Sequence, residues 1–207
     1  PARFITEFVK KLTNTQIELE VNDKNQLTIR YEDSESEIQC YNPVEYPGFK
    51  NVESKEYFGI SQKDFKTCVN KSIFAVALDD SRPILKGVLF DINNNELNVV
   101  ALDGYRLARV KKTIKSNMTK SIVVPARSLN ELSKMIEDSD EIINIYVGEY
   151  TIMADLGDTK VTSRLLEGDY INYKQIIPVN FETFVIVNKE QFEQALERAT
   201  LLSRTSS

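Results

Sequence analysis

The sequence predicts an α+β fold assembled from repeated units, each a helix followed by antiparallel strands. Three observations lead there. Pro1-Ala2-Arg3 returns as Pro125-Ala126-Arg127, an offset of 124 residues (1 to 125), and both copies open an apolar run at helical spacing. Ile60-Ser61-Gln62-Lys63-Asp64-Phe65 matches Val187-Asn188-Lys189-Glu190-Gln191-Phe192, an offset of 127 residues (65 to 192). Short β-rich runs joined by turn residues fill the intervals. A repeat of about 125 residues is the size of one ordinary domain. The phase of the repeat predicts a window that opens partway through one unit and stops after the first helix of a third. The absence of an initiator Met fits that expectation.

Each element has its own signal. Phe4, Ile5, Phe8 and Leu12 recur at helical spacing, and Glu45-Tyr46 then meets Asp169-Tyr170 at the same 124-residue offset. The acidic run Asp33–Glu37 suits an exposed turn or the charged start of an edge strand. Residues 61–77 predict one amphipathic helix capped by Ser61, with Phe65, Cys68, Val69, Ser72, Ile73 and Val76 on one side. Lys63, Lys66, Thr67, Asn70 and Lys71 gather opposite, with Asp64 at the margin. KGVLFDI and LNVVAL are strands joined across Asn93-Asn94-Asn95, and Asp103-Gly104 predicts a two-residue type I′ hairpin before the strand RLARV. KSIVV leads into a helix opened at Pro125 and carrying Leu129, Leu132 and Ile136. IINIYV, YTIMADL and TKVTSRLL supply three further strands. Helix plus three strands, twice over, makes one unit whose sheets cover the apolar sides of both helices. The joins fall around Tyr46–Glu56 and Tyr170–Asn188, which contain Pro47 and Pro178 but no Gly/Ser-rich linker, so the units form a rigid array.

Composition removes several classes of function. Among 207 residues there is no apolar run of about 18, the length a membrane helix needs. Arg3, Glu7, Lys10 and Lys11 interrupt the first apolar stretch, which excludes a signal peptide there. Cys40 and Cys68 are too few for a disulfide framework or zinc site and fit a reducing, cytosolic setting. The chain has no His, the commonest general base and metal ligand, and no Gly-rich phosphate loop or Gly-x-Ser-x-Gly elbow. Asp79-Asp80 and Asp103 are explained by a loop and a turn, so no catalytic residue, metal or cofactor is expected. A net charge of −5 does not exclude a polyanionic partner, because the local field decides.

Two features keep two readings open. The basic face of 61–77 is either a solvated surface or a phosphate contact. In Leu102-Asp103-Gly104-Tyr105-Arg106-Leu107-Ala108 the turn requires Asp-Gly, but not the aromatic, guanidinium and leucine behind it. Apolar surface beside a fixed donor suits a small peptide pocket.

The segments LKGVLFDINNNELNVVALDGYRLARV, IVVPARSLNEL and LLEGDYINYKQIIP resemble the bacterial sliding clamp family, the β subunit of DNA polymerase III. The resemblance covers essentially the whole chain. It implies a DNA clamp fold with helices on the inner face and sheets on the outer face. Residues 1–57 would be the second half of domain one, 58–183 the whole of domain two, and 184–207 the first strand and helix of domain three. It implies a head-to-tail homodimeric ring around duplex DNA, without catalysis, cofactor or metal, in the bacterial cytoplasm at the nucleoid. Arg3, Lys10, Lys63, Lys66, Asn70, Lys71, Arg127 and Lys134 would face the phosphates. Short linear motifs of the polymerase III catalytic subunit, the clamp loader and repair proteins would dock on Leu85, Leu102, Gly104, Tyr105, Arg106, Leu107, Ile171, Gln175 and Ile176. Three of these depart from commoner family residues: Leu102 replaces Thr, Ile171 replaces Pro and Gln175 replaces Arg, so the rim loses a hydroxyl and a charge. The ring joint would run from near Ile38 to near Leu201 and Leu202, and the chain by itself is expected not to close a ring. The competing reading is a peptide-binding scaffold that never encircles DNA, which the lysines disfavour.

Overall fold

The structure, a computed structural model, describes residues 2–13, 16–46 and 55–204. The chain divides into two compact units, residues 1–51 and 52–207. Pro1 and Pro47 lie outside the described residues, as does most of the first join.

The first unit is a helix followed by a three-stranded antiparallel meander. Helix α1 (Ala2–Val9) precedes β1 (Ile17–Val21), β2 (Gln26–Tyr31) and β3 (Ser34–Gln39), in the order β1-β2-β3. The helix touches the sheet through Phe8, whose ring meets Tyr31 edge-on at 5.6 Å. Ile29 is fully buried, whereas α1 buries no residue completely and Phe4 stays exposed. The acidic run Asp33–Glu37 spans both expected outcomes, since Glu32 turns with φ +48° and Ser34 begins an edge strand. Arg30 ties the sheet together across strands, reaching Glu20 and Glu35 at 2.8 Å each.

The second unit interlocks two copies of one motif. Strand β4 (Tyr57–Ser61) leads into α2 (Gln62–Asn70), and β5 (Gly87–Asn93), β6 (Glu96–Leu102) and β7 (Leu107–Thr113) follow. The second copy runs β8 (Thr119–Pro125), α3 (Ala126–Met135), β9 (Ile142–Val147), β10 (Thr151–Asp155) and β11 (Lys160–Arg164). A one-turn helix α4 (Tyr173–Ile176) and the exposed helix α5 (Lys189–Arg204) complete it. The two sheets are ordered β7-β6-β5-β8 and β11-β10-β9-β4, all antiparallel. Each motif therefore gives its first strand to the other motif's sheet. One core joins both sheets and both helices: Phe90 of β5 lies 6.4 Å from Phe58 of β4 and 6.2 Å from Phe65 of α2, all fully buried.

Four sequence expectations change. Strand β4 was not expected before α2, so the repeating motif is strand, helix and three strands. The helix expected over 61–77 ends at Asn70, and Ile73–Ala75 form a separate 3-10 turn. The last turn tightens at Ser72, whose N–H bonds the Val69 carbonyl at 3.1 Å and whose buried hydroxyl donates to the Cys68 carbonyl at 2.7 Å. Asp103-Gly104 is not a two-residue turn. Leu102 pairs with Leu107 across a four-residue loop in which only Gly104 has positive φ, +95°. Residues 184–188 form no strand and belong to none of the described sheets. The Ser61 cap stands, accepting from the Asp64 N–H at 3.2 Å. The asparagine turn tightens to Asn94-Asn95, with Asn94 at φ +50°.

Gly87 shows how closely the halves meet. A Cβ there would lie 2.5 Å from Val123 Cγ1 and 2.8 Å from Leu166 Cδ1. Gly87→Ala is expected to cost about 1–3 kcal/mol through overpacking. Urea unfolding would register this as a lower midpoint at unchanged slope.

Candidate functional site

Four of the nine expected groove residues come together from distant parts of the second unit. Leu85 and Leu102 are buried in an apolar cluster with Ala77, Leu89, Val100, Val123 and Tyr173, and Leu107 and Ile171 pack half-buried against it. The cluster is separate from the main core and forms at one end of the β7-β6-β5-β8 sheet. Beside it the Asp103–Arg106 loop is held by its first residue. The Asp103 carboxylate accepts from the Tyr105 and Arg106 N–H groups at 3.0 Å each and from Arg106 Nε at 2.9 Å. The backbone donors of Tyr105 and Arg106 hold its pKa below the usual carboxylate value. The Arg106 guanidinium also lies 5.8 Å over the Phe74 ring. Its Nε is thus committed, and its terminal nitrogens are the donors left at the rim. Tyr105 at the loop tip is 100% exposed, and Gly104 beside it is also exposed.

The other groove candidates sit on α4, and here one assignment shifts. Gln175 is exposed and Ile176 is 49% exposed, whereas its neighbour Ile177 packs against the apolar cluster. One helical turn cannot point adjacent residues into the same wall.

What fixes α4 was not legible in the sequence. Tyr173 is 3% exposed and donates its hydroxyl to Asp91 Oδ2 at 2.8 Å. Lys174 Nζ reaches the same oxygen at 3.1 Å, and Ser121 donates to Oδ1 at 3.0 Å. The Arg109 guanidinium lies 5.8 Å from the Tyr173 ring while donating to Asn98 Oδ1. Burial raises the Asp91 carboxyl, but the bonds from Tyr173, Lys174 and Ser121 outweigh it and leave its pKa below the ordinary value. Burial, then Asp91, pushes the Tyr173 phenol up to about 12. The only sequence signal near this anchor is Asn172, which caps α4 by accepting from the Lys174 N–H at 3.2 Å.

The expected phosphate-facing residues divide into engaged and open ones. Lys66 is half-buried and donates to the Ile136 carbonyl at 3.2 Å, capping the end of α3. Arg3 pairs with Glu7 at 3.1 Å and Lys134 with Glu131 at 2.9 Å, both exposed pairs. Lys10, Lys63, Asn70, Lys71 and Arg127 are exposed. Asp64, at the margin of the α2 face, is turned to Lys112 of β7. Gln62, not singled out by sequence, locks the start of α2 to the loop after α3: its side chain accepts from the Glu137 N–H at 2.7 Å and donates to Glu141 at 3.1 Å. Ile38 is half-buried on edge strand β3, Leu201 is exposed on α5, and the Leu202 side chain lies outside what is described.

Residues 59–172 match the family model of the DNA polymerase III beta subunit, central domain. The chain belongs to this family. It is 37% identical over 207 residues to the beta sliding clamp of Halalkalibacterium halodurans, covering 98% of this chain and 54% of that protein. It superposes on the crystal structure of the Bacillus subtilis DNA polymerase sliding clamp with TM-score 0.88 and 33% identity, over 97% of this chain and 53% of that one. The sliding clamp of Pseudomonas aeruginosa bound to griselimycin aligns with TM-score 0.82 and 26% identity, over 96% of this chain and 54% of that one. The chain thus spans about half the length of the relatives it matches, and the clamp fold expected from sequence is the fold found. No described helix is long and apolar enough to cross a membrane.

The α4 anchor has a pH signature. With the folded Asp91 pKa below its unfolded value, its contribution is fully present above the unfolded pKa and is lost as pH falls through the folded one. Tyr173→Phe should raise the Asp91 pKa, cost about 1.5 kcal/mol at neutral pH, and narrow the gap from wild type in acid. Carboxyl carbon chemical shifts against pH, with urea unfolding at each pH, would check both.

Proposed function

We propose that this chain is part of a DNA sliding clamp, a non-catalytic processivity factor that encircles duplex DNA as a homodimeric ring. On this reading it tethers the polymerase III catalytic subunit, the clamp loader and repair proteins through short linear motifs. The observation that carries the proposal is the convergence of Leu85, Leu102, Leu107 and Ile171 on one apolar cluster beside the braced Asp103–Arg106 loop. Leucine and phenylalanine anchors bury their area against such a cluster, and the free nitrogens of Arg106 meet a polar motif residue at its rim. The griselimycin-bound relative supports a ligand-accepting surface on this fold.

The assignment of segments follows the same reading. Residues 1–57 are the second half of one clamp domain, 58–183 a complete domain, and 184–207 the start of a third. The ring joint involves Ile38 of β3 and Leu201 and Leu202 of α5. The exposed cations Lys63 on α2, Lys71 at its C-cap and Arg127 on α3 face DNA, as does Lys10 of the first unit. They meet phosphate, which carries no base information and lets the ring slide. A clamp of this kind works in the cytoplasm at the nucleoid.

Two measurements test this. Reversing Lys63, Lys71 and Arg127 to Glu should weaken retention of the assembled ring on circular DNA. Its salt dependence should flatten by about 0.9 in slope for each phosphate that is no longer neutralised. Lys66 is left intact because it caps α3. A salt slope equal to wild type would place these residues away from DNA and favour the scaffold that does not encircle it.

The groove is tested by titrating this chain with a pentapeptide of the Gln-Leu-x-Leu-Phe type while recording amide shifts. Shifts are expected at Gly104, Leu107 and Ile177, and Leu107→Asp should remove them by placing a charge against the apolar cluster. Shifts confined to α2 and α3 would refute the groove.

A further inference from the structure

The strand exchange in the second unit creates two equivalent seams, and only one belongs to the groove described above. At each seam the exchanged strand meets the chain that leaves the last strand of its own motif. Val123 of β8 accepts from the Leu166 N–H at 2.9 Å, and Gly59 of β4 exchanges two bonds with Lys115, at 3.0 and 3.2 Å. The first seam is closed by Leu89, Val123 and Leu166, with no room for a Cβ at Gly87. The second is open. After Lys115 the chain peels away from β4 and leaves a cavity of about 530 Å³, a volume typical of ligand sites.

We propose that this cavity binds a short, extended acidic peptide. Its lining supplies cations and donors: Lys55 and Lys115, the amides of Asn95, Asn117 and Asn144, and one wall made by the Tyr57 ring. Among the described residues the side chains of Lys55, Lys115, Asn117 and Asn144 have no hydrogen-bond or ion-pair partner, and the Asn95 oxygen is taken by the Ser116 N–H at 3.2 Å. The carboxylate at the cavity, Glu56, is bonded to Lys120 at 3.2 Å. Ammonium groups only donate, so they select carboxylates.

The backbone makes the ligand a peptide. Antiparallel alternation turns Tyr57, Gly59 and Ser61 away from β9. Gly59 uses its groups on Lys115, which leaves the N–H and C=O of Tyr57 as the next rung facing the cavity. A strand laid there would bond Tyr57 through its main chain and bring alternate acidic side chains to the lysines. The cavity is also several times larger than one phosphate. This site goes beyond the clamp reading and stands whether or not that reading does.

The test titrates the 207-residue chain with end-blocked Ala-Glu-Asp-Glu-Ala and follows amide shifts. Shifts are expected at Tyr57, Gly59, Lys115 and the Asn144 side chain. Lys55→Glu with Lys115→Glu should weaken binding about tenfold per lysine, the worth of one charge-assisted hydrogen bond each. Both lysines are exposed, so the double variant should keep the wild-type thermal midpoint, and the milder Lys→Gln pair should weaken binding in the same direction. Equal affinity for Ala-Gln-Asn-Gln-Ala, saturation by inorganic phosphate at the same concentration, shifts confined to α2 and α3, or indifference to the double reversal would each overturn the proposal.

Discussion

The second unit depends on Phe90. It stands on β5 in one sheet and touches Phe58, on the strand that β4 lends to the other sheet, and Phe65 on α2. A ring shared among three layers buries well over a hundred square ångströms and makes each layer's placement conditional on the others. This is why the strand exchange holds: β4 cannot leave its borrowed sheet without opening the core of the sheet it came from. Smaller devices at the helix ends follow from that placement. Gln62 is brought within reach of the loop after α3, and Lys66 within reach of the Ile136 carbonyl.

The same constraint locates the groove. Once β8 is fixed beside β5, Val123 and Leu89 form an apolar floor that the main core does not cover, and the chain after β11 must cross it. Tyr173 and Ile171 close that crossing. Tyr173 spans two environments, its ring in the apolar cluster and its hydroxyl on Asp91 at the outer surface of the sheet. A tyrosine does this at low cost because its apolar body and polar tip are separated by the length of the ring. The opposite seam has the same topology but sets Lys55, Lys115 and three asparagines beside Met118 and Ile142, and a cavity remains there.

Much of the fold was legible in the sequence. The repeat, the α2 cap, the strands β5 to β11 and the α3 start were all marked by local period or by a cap residue. β4 was not, since five residues ending in a helix cap carry too little alternation to be distinguished from a linker. The end of α2 was hidden for a related reason: Ile73 and Val76 continue the helical period beyond Asn70, where the helix stops and a 3-10 turn follows. Of the groove, the Asp103–Arg106 loop was visible as a motif, though its turn type was not. Asp103 acts through its side chain and not through a left-handed backbone.

The sequence by itself determined the units, their period, the basic polar face of α2 and the apolar residues available for a pocket. Those follow from local spacing, which a reader of one chain can measure. Tertiary structure alone decided that Lys66 is spent, because the Ile136 carbonyl that claims it lies 70 positions away, whereas Arg3–Glu7 and Glu131–Lys134 are local helical pairs. It also decided that Ile177 faces the cluster in place of Ile176, and that Asp91, 82 positions before Tyr173, holds α4. Pairings across such separations are set by the exchange of strands between sheets, a choice made by packing and not written in any local period.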